Sequence, residues 1–555
     1  MKSLFSGALL PIGMAVCGAA LAQTAPTAGS LTQQIERERP LATARAAPDI
    51  RVEQAGAPAM PATAGQKIVV KALRITGAQL FSEAQLLAVT GWRGETALTL
   101  AELRAMASTM SAFYRQNGYF LAQAYLPAQD IRDGVVSFAV LEGRYGDVSL
   151  RNQSAVGDDV AKKLLVGLAR GDAVAIGPLE SRVLLLGDLP GVIVKSTLVP
   201  GASVGASDLI VDLLPGPRVS GSIDADNQGN RYTGANRLGA SLQINNPSGA
   251  GDVISVRALT SAADMHYGRL AYQRPLGRAT AGLAYSRMDY RLGQDFASLQ
   301  ASGVATIASL YGSYPLLRSR TSNLTAQLHL DDKRFRDRAD AAGTRTDKDA
   351  RVAIASLNGE ARDEGGATSY TLSWNRGIVD IASAAARAAD AATVRTDGRY
   401  NKLSLSATHL QQLSDSVALY GAVNGQVASK NLDASEKMGL GGTGGVRAYP
   451  SGEAYGDQGY VLNLEARALL PVVAGVPGRL TVIGFVDHGS VMANKQPWTS
   501  GNNRRSLSGA GLGLTWAAFG RLALSASIAS KLGNSPATSA PDTGRRIWVQ
   551  AVTYF

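Results

Sequence analysis

The sequence predicts a transmembrane β-barrel of about sixteen antiparallel strands, preceded by two small α+β modules and a short tethered helix. Three observations predict it. The chain opens on a secretory leader, no later run of ~18 apolar residues offers a helical span, and beyond residue 217 apolar and polar residues alternate in segments of about ten. The 555 residues include 61 glycines, are 18% charged and 6% aromatic, and carry a formal net charge of +11. Abundant glycine favours turns and barrel corners over helix bundles. Lys and Arg are scattered rather than gathered in runs, which argues against nucleic acid as a partner.

Taken in order, residues 1–22 read as a cleaved signal peptide: Lys2 supplies the positive start, Leu4 to Leu21 the apolar stretch, and Ala20-Leu21-Ala22 the small residues before the cut at Gln23. Val16 is too bulky to precede a lipid-modified Cys17, so a lipoprotein reading is set aside. Cys17 is the only cysteine, and it leaves with the leader, so no disulfide or thiol chemistry is expected. Residues 23–40 hold a polar run of helix formers, Leu31 to Arg39, stopped at Pro40. This helix has little apolar surface of its own and is expected to dock elsewhere. Residues 41–66, rich in Ala and Pro, read as a linker.

Residues 67–144 form the first module. "KIVVKALRIT" reads as a strand, Ser82 with Gln85 and Thr99 with Glu102 as capping boxes opening two helices. On the second helix Leu103, Met106, Ala107, Met110, Phe113 and Tyr114 recur at helical spacing, and Asn117-Gly118 stops it. "YFLAQAYLP" and "GVVSFAVLEG" follow as strands. Residues 145–216 repeat the order strand, helix, helix, strand, strand, with helices near 158–168 and 178–187.

From 217 to 555 the period is two. In "RLGASLQI" Leu238, Ala240, Leu242 and Ile244 share one face, and "RIWVQAVTYF" closes the chain with Ile547, Val549, Ala551, Thr553 and Phe555 on one face. Segments begin near 218, 236, 252, 266, 279, 304, 322, 350, 367, 399, 416, 458, 479, 505, 520 and 546. Connections after even segments are mostly short ("PSGAG", "PLGR", "DEGG"), those after odd segments mostly long, including 333–349, 380–398 and 429–457. Short turns on one rim and long loops on the other separate a barrel from a soluble sandwich, and an even strand count puts both barrel ends on the short-turn, periplasmic rim.

The glycine-dense stretch "GGTGGVRAYPSGEAYGDQG", 441–459, carries the single cation Arg447 and lies in the long loop 429–457. It lacks the Lys-Ser/Thr and the strand-to-helix context of a phosphate loop. Folded back into the barrel, its glycines permit close approach to the wall, and Arg447 requires a carboxylate partner. Asp487 is the candidate: in "RLTVIGFVDHGSV" Thr481, Ile483, Phe485 and Asp487 share the face predicted to line the lumen. Asp487 and His488 point to opposite faces and cannot form a triad with Ser490. His266, His329, His409 and His488 are far apart in sequence, no metal-ligand set appears, and neither an enzyme nor a cofactor is expected.

Val446-Arg447-Ala448-Tyr449 resembles the loop-six signature Val-Arg-Gly-Tyr/Phe, and Phe485-x-Asp487-x-Gly489 the strand signature F-x-D-x-G, of the type Vb two-partner secretion transporters. These form the TpsB family of haemolysin and filamentous-haemagglutinin exporters, in the superfamily that includes the BamA insertase. "DNQGNRYTGANRLG", 226–239, resembles the family's barrel start, and Ala448 stands where Gly is commoner. The resemblance implies a plug helix at 23–40, POTRA domains at 67–144 and 145–216, and a pore-folded loop six crossing the lumen with Arg447 bonded to Asp487. It implies an outer-membrane pore with its POTRA domains in the periplasm, exporting a large TpsA-type exoprotein without ATP. The partner's N-terminal secretion domain would bind the POTRA modules, partly by strand addition. Outer-membrane lipid, periplasmic chaperones and the barrel-assembly machinery are further implied partners, and Phe555 matches the terminal aromatic used as an assembly signal. The alternative is a BamA-type assembly factor, which usually carries more POTRA modules than the two this chain has room for.

Overall fold

The computed structural model describes residues 25–37, 49–52, 67–261, 264–471, 475 and 477–555. The signal-peptide reading at 1–22 lies outside them, as does most of the linker.

Sixteen antiparallel strands close into a barrel. They are β1 (Val219–Asp226), β2 (Arg237–Asn245), β3 (Val253–Ser261), β4 (Met265–Leu276), β5 (Ala279–Arg291), β6 (Ala301–Arg318), β7 (Ser322–Ala339) and β8 (Thr344–Arg362), followed by β9 (Gly366–Ile381), β10 (Gly398–Gln412), β11 (Val417–Ala428), β12 (Gln458–Leu469), β13 (Arg479–Met492), β14 (Arg504–Ala518), β15 (Leu522–Lys531) and β16 (Arg545–Tyr554). Each pairs with the next, and β1 closes on β16 from Ser222↔Tyr554 to Asp226↔Gln550. The period-two pattern sorts the faces. On β13 Phe485 and Asp487 are buried inward while Val486 is 49% exposed outward; on β12 Leu464 is 51% exposed, and on β14 Leu512 is 62% exposed. Apolar side chains stand outward and polar ones inward, the arrangement lipid outside and water inside require.

The largest departure from the sequence reading is at 333–349. Instead of a long loop, β7 and β8 continue into it, and only residues 340–343 turn. The stretch is rich in charge, yet its residues alternate: Phe335 and Ala350 point inward, Arg334, Arg336, Arg338 and Arg345 outward. A charged strand is stable above a membrane because both its backbone and its side chains can be satisfied there. The 380–398 connection contains a helix, Ala384–Ala392, opened by Ser383, whose hydroxyl accepts from the Ala386 N–H.

The first periplasmic module has helices Glu83–Thr90 and Leu100–Gln116, each opened by a complete capping box, Ser82 with Gln85 and Thr99 with Glu102. Leu103, Ala107, Met110 and Tyr114 enter its core beside Val136 and Phe138, while Met106 and Phe113 are only partly buried. The expected first strand is split in two, Lys67–Val70 and Ala72–Thr76, and an extra strand, Thr96–Thr99, pairs with the former. "YFLAQAYLP" keeps only Gln123–Tyr125 as strand. The second module runs Arg144–Asn152, helices Asp158–Leu165 and Ile176–Gly187, then strands Val192–Pro200 and Ala206–Pro215. Its helices bury Leu164, Leu179, Val183 and Leu186 against Val194, Leu198, Leu209 and Val211.

The linker is not structureless throughout. Asp49–Val52 adds a parallel strand to Val192–Pro200, in register Asp49↔Lys195 to Val52↔Leu198, and so caps one edge of the second module's sheet. This module docks on the short-turn rim of the barrel. The Arg318 guanidinium donates two bonds of 2.8 Å to Asp188, Arg320 lies 2.9 Å from Glu180, and the Gly157 N–H donates to the Gly249 carbonyl at 2.8 Å.

A lumenal loop clamped by paired charges

The loop 429–457 joins β11 to β12 and is folded into the barrel. Its neck is a two-residue ladder, Met438–Gly439 against Tyr455–Gly456. Its tip is coiled tightly: the Val446 N–H donates to the Leu440 carbonyl at 2.8 Å, and the Gly442 N–H to the Tyr449 carbonyl at 3.1 Å. Gly445 is required by close approach, since a Cβ there would stand 2.1 Å from the Leu440 carbonyl oxygen.

The tip presents Arg447 to the wall, where four residues receive it. Its backbone N–H and Nε donate to Asp487 Oδ2 at 3.0 and 2.9 Å, and Nη2 donates to Asp487 Oδ1 at 2.7 Å. Nη1 donates to Glu465 Oε1 at 2.7 Å. The guanidinium lies 3.6 Å from the centre of the Phe485 ring, and Trp548 Nε1 donates to the Arg447 carbonyl at 2.7 Å. Asn463 Nδ2 donates to both Asp487 Oδ1 and the Gly445 carbonyl, and Arg467 balances Glu465 through a 2.8 Å bond from its Nε. Two guanidinia and two carboxylates make a neutral, fully bonded group. This is the condition under which buried charge is tolerated.

The structure thus brings Arg447 and Asp487 together, and it adds Glu465, which sequence reasoning missed. A signal existed: by alternation Val461, Asn463, Glu465 and Arg467 face inward, and Glu465 pairs across strands with Phe485. The other three loop residues pack around the clamp. Val446 and Tyr449 are buried in one apolar cluster with Leu440, Phe485 and Leu507, and the Tyr449 hydroxyl donates to the Ser535 carbonyl at 2.9 Å. Ala448 has no left-handed backbone, so it needs no glycine. Its methyl sits over Gly509 of β14, where a Cβ would come within 2.5 Å. The wall carries the glycine that the loop lacks. Gly489 likewise makes room for Leu440. Phe555 lies past the end of β16: its N–H and carbonyl exchange bonds with Gly221 of β1, and its ring covers Gly221.

Further anchors hold the loop. Thr443 Oγ1 donates to Gln228 Oε1 and Ser451 Oγ to the Gln228 carbonyl, both at 2.8 Å, so part of 226–239 buttresses the tip. Glu453, buried, accepts from Thr538 and Ser539 and pairs with Arg505. At the loop's root Glu436 accepts from Lys333 at 2.8 Å and Lys402 at 2.7 Å, and Asp433 from Lys348 at 2.6 Å.

Beside that root lies the helix Ala28–Arg37, inside the barrel against β5–β7 and the turn Ala434–Glu436. It begins three residues before the expected Leu31; residues 38–40 lie outside those described. Ala28 and Leu31 are buried among Met288, Tyr290, Phe335 and Val352. Its first turn is capped from the wall: Asp337 Oδ1 accepts from the Ala28 N–H at 2.8 Å and from the Tyr290 hydroxyl at 2.7 Å. A carboxylate at a helix N-terminus meets both unpaired N–H groups and the favourable end of the dipole. Glu36, near the other end, accepts from the Tyr267 hydroxyl and stands 3.7 Å from Arg269. Gly29 meets Ser435 so closely that a Cβ would lie 2.8 Å from its Cβ.

His488 bonds Ser508 and Tyr460, whereas Ser490 bonds Ser506. Among the described residues no group of three His, Cys, Asp or Glu is placed to hold a metal.

A closed sixteen-stranded barrel, two periplasmic α+β modules and a lumen filled by a helix and a charge-clamped loop define an outer-membrane transporter of the POTRA-barrel class. The family model of haemolysin secretion/activation proteins ShlB/FhaC/HecB matches residues 205–516, and the ShlB-type POTRA domain matches 68–143. The chain belongs to this family of two-partner secretion transporters of the Gram-negative outer membrane. It is 27% identical over 536 residues to the heme/hemopexin transporter protein HuxB of Haemophilus influenzae, covering 94% of both chains. It is 26% identical over 450 residues to the outer membrane transporter CdiB of Dickeya dadantii, covering 77% of each. Among solved structures, CdiB from Escherichia coli superposes with a TM-score of 0.74 at 20% identity, over 97% of this chain and 100% of that one. BamA from Haemophilus ducreyi, lacking POTRA domains 1–3, gives 0.52 at 14% identity, over 88% and 100%.

Proposed function

We propose that this chain exports one large exoprotein through a lumen that is plugged at rest by the helix Ala28–Arg37 and narrowed by loop six. The observation that carries this reading is how the lumen is filled. The helix is held by a handful of polar bonds and a small apolar face, whereas the loop is clamped by Arg447, Glu453 and the acid–lysine pairs at its root. The first can leave and the second can stay as a fixed guide. A polar, weakly binding wall suits a chain that must be admitted and released. Export needs no nucleotide, since folding of the exoprotein at the cell surface makes passage one-way.

Capture falls to the POTRA modules. Because Asp49–Val52 already covers the Val192–Pro200 edge, strand addition by the incoming secretion domain is directed to the other edges, such as Gln123–Tyr125 of the first module. HuxB is named for heme and hemopexin transport; an exoprotein of that kind is one candidate cargo here. Phe555, bonded to Gly221, would mark the last strand for the barrel-assembly machinery, with periplasmic chaperones escorting the chain before insertion. A BamA-type assembly role is the weaker reading, because the ShlB-type domain match and the closer superposition on CdiB both favour export. The test is co-expression with the exoprotein encoded beside this gene. The exoprotein should reach the medium only with the intact chain, while the assembly of unrelated barrels is unaffected by its deletion; the reverse outcome overturns the proposal.

A further inference from the structure

The outer face of β5–β10 carries a feature that export does not use. Strands β6, β7 and β8 have 18, 18 and 19 residues, well beyond the ~9–11 that a tilted strand needs to cross a bilayer. Their surplus lies at the long-loop, extracellular end, where Arg334, Arg336, Arg338, Arg345 and Arg351 stand exposed on the outer side. Three arginines gather around one apolar residue. Arg351 and Arg399 are the direct cross-strand neighbours of Ile378, and Arg376 lies two residues before Ile378 on the same face. Arg376 is the diagonal neighbour of both Arg351 and Arg399, and diagonal neighbours in such ladders stand about 7–8 Å apart, within reach of long side chains, so three like charges crowd one patch. Compensation within the chain is slight: Arg351 is 3.9 Å from Asp332 with its side chain 84% exposed, and Arg376 and Arg399 hold no ion pair or hydrogen bond among the described residues. The next acids on that face are the opposed pair Asp349, two residues before Arg351, and Asp380, which is engaged by Arg387 at 3.1 Å.

Below the trio an open groove runs over the apolar side chains Leu283, Leu310, Leu330 and Ile378, which are 42–58% exposed. A guanidinium costs about 2–4 kcal/mol at the middle of the bilayer and ~0–1 at its edge, so unpaired arginines belong in the headgroup layer with the leucines beneath them in hydrocarbon. The site therefore asks for one molecule with an anion at the outer surface and an acyl chain running inward.

We propose that Arg351, Arg376 and Arg399 bind the phosphate of a phosphorylated glycolipid of the outer leaflet, with one of its acyl chains lying along Leu283, Leu310 and Leu330. Phosphate oxygens match several guanidinia at once, and the extracellular position selects this lipid over the phospholipids of the inner leaflet.

Native mass spectrometry of the full-length protein in detergent, with added bis-phosphorylated lipid A, tests this. The wild type should hold the lipid, and Arg351→Gln/Arg376→Gln/Arg399→Gln should weaken binding at least about tenfold, as loss of several charge-assisted contacts requires. Arg479→Gln/Arg521→Gln, at the opposite rim, should bind as the wild type does. Heat-modifiable migration on gels checks that each variant is a folded barrel. Dephosphorylated lipid A and phosphatidylglycerol should both bind more weakly than lipid A. Equal binding by the triple variant, equal loss in the opposite-rim variant, or phosphatidylglycerol binding as tightly as lipid A each overturns the proposal.

Discussion

Arg447 makes four side-chain and backbone bonds to two carboxylates and covers an aromatic ring. A charge-assisted bond contributes about 1.5–3 kcal/mol, and a desolvated cation–π contact about 2 kcal/mol, with desolvation offsetting part of both. Arg447→Ala leaves Glu465 paired with Arg467 and strips Asp487 of its guanidinium partner. Secretion should fall about tenfold or more while the barrel still inserts, because insertion depends on strand patterning. Asp487→Ala should cost less, since Glu465 still holds Nη1. In the double-mutant cycle, measured as exoprotein in the medium, the two losses should be non-additive. Arg447→Lys separates charge from geometry: a lysine cannot reach both carboxylates with a planar fork, so its secretion should resemble that of Arg447→Ala, and wild-type secretion would contradict the clamp. Gly509→Val addresses the loop from the wall side. Its side chain would occupy the place of the Ala448 methyl, so the loop should become susceptible to added protease.

At the scale of elements, the lumenal helix is the least anchored part of the channel. Deleting residues 25–40, which spares the strand Asp49–Val52, should enlarge single-channel conductance in planar bilayers and leave secretion largely intact; unchanged conductance would place the helix outside the conducting path. Asp337→Asn is the gentler version, removing the charge but not the shape of the helix cap, and should raise the frequency of large openings. In the first module, the Glu102 carboxyl is held below its ordinary 4.5 by the Thr99 backbone N–H first and its hydroxyl second. Its contribution is therefore present above the unfolded pKa and is lost as pH falls through the lower folded value. Protection of the helix Leu100–Gln116 against hydrogen exchange should fall in acid below that range; Glu102→Gln should remove the pH dependence, and Thr99→Ala, which keeps the backbone N–H, should only weaken it. Tyr114, in contrast, has its phenol pushed up by burial and by the Glu142 carboxylate it bonds at 3.1 Å, so it stays a donor through the working range.

At the scale of the molecule, recognition and conduction are spatially divided. Deleting residues 67–143 should abolish capture of a partner's secretion domain in a pull-down while leaving a heat-modifiable barrel. Retained affinity would move recognition to the second module, whose uncovered edge strand Arg144–Asn152 is then the first place to look.

Much of this architecture was legible in the residues because it is local. A period of two decides which side chains face lipid, and capping boxes and Asn-Gly stops decide helix ends. The sixteen strands accordingly begin within a few residues of where alternation puts them, with β8 the furthest displaced, at Thr344 rather than 350. The Arg447–Asp487 contact was also legible, through a motif pair and an inward face. What only the tertiary structure decided are pairings between distant segments whose local pattern is silent. Glu465 became a second partner because β12 lies beside β13. Ala448 was accommodated by Gly509, a strand away from the motif, and Asp49–Val52 became a strand because an open edge in the second module offered its backbone partners. The charge-rich 333–349 segment looked like a loop because hydropathy counts side chains; it is strand because cross-strand hydrogen bonds, and a position above the membrane, satisfy what hydropathy cannot see.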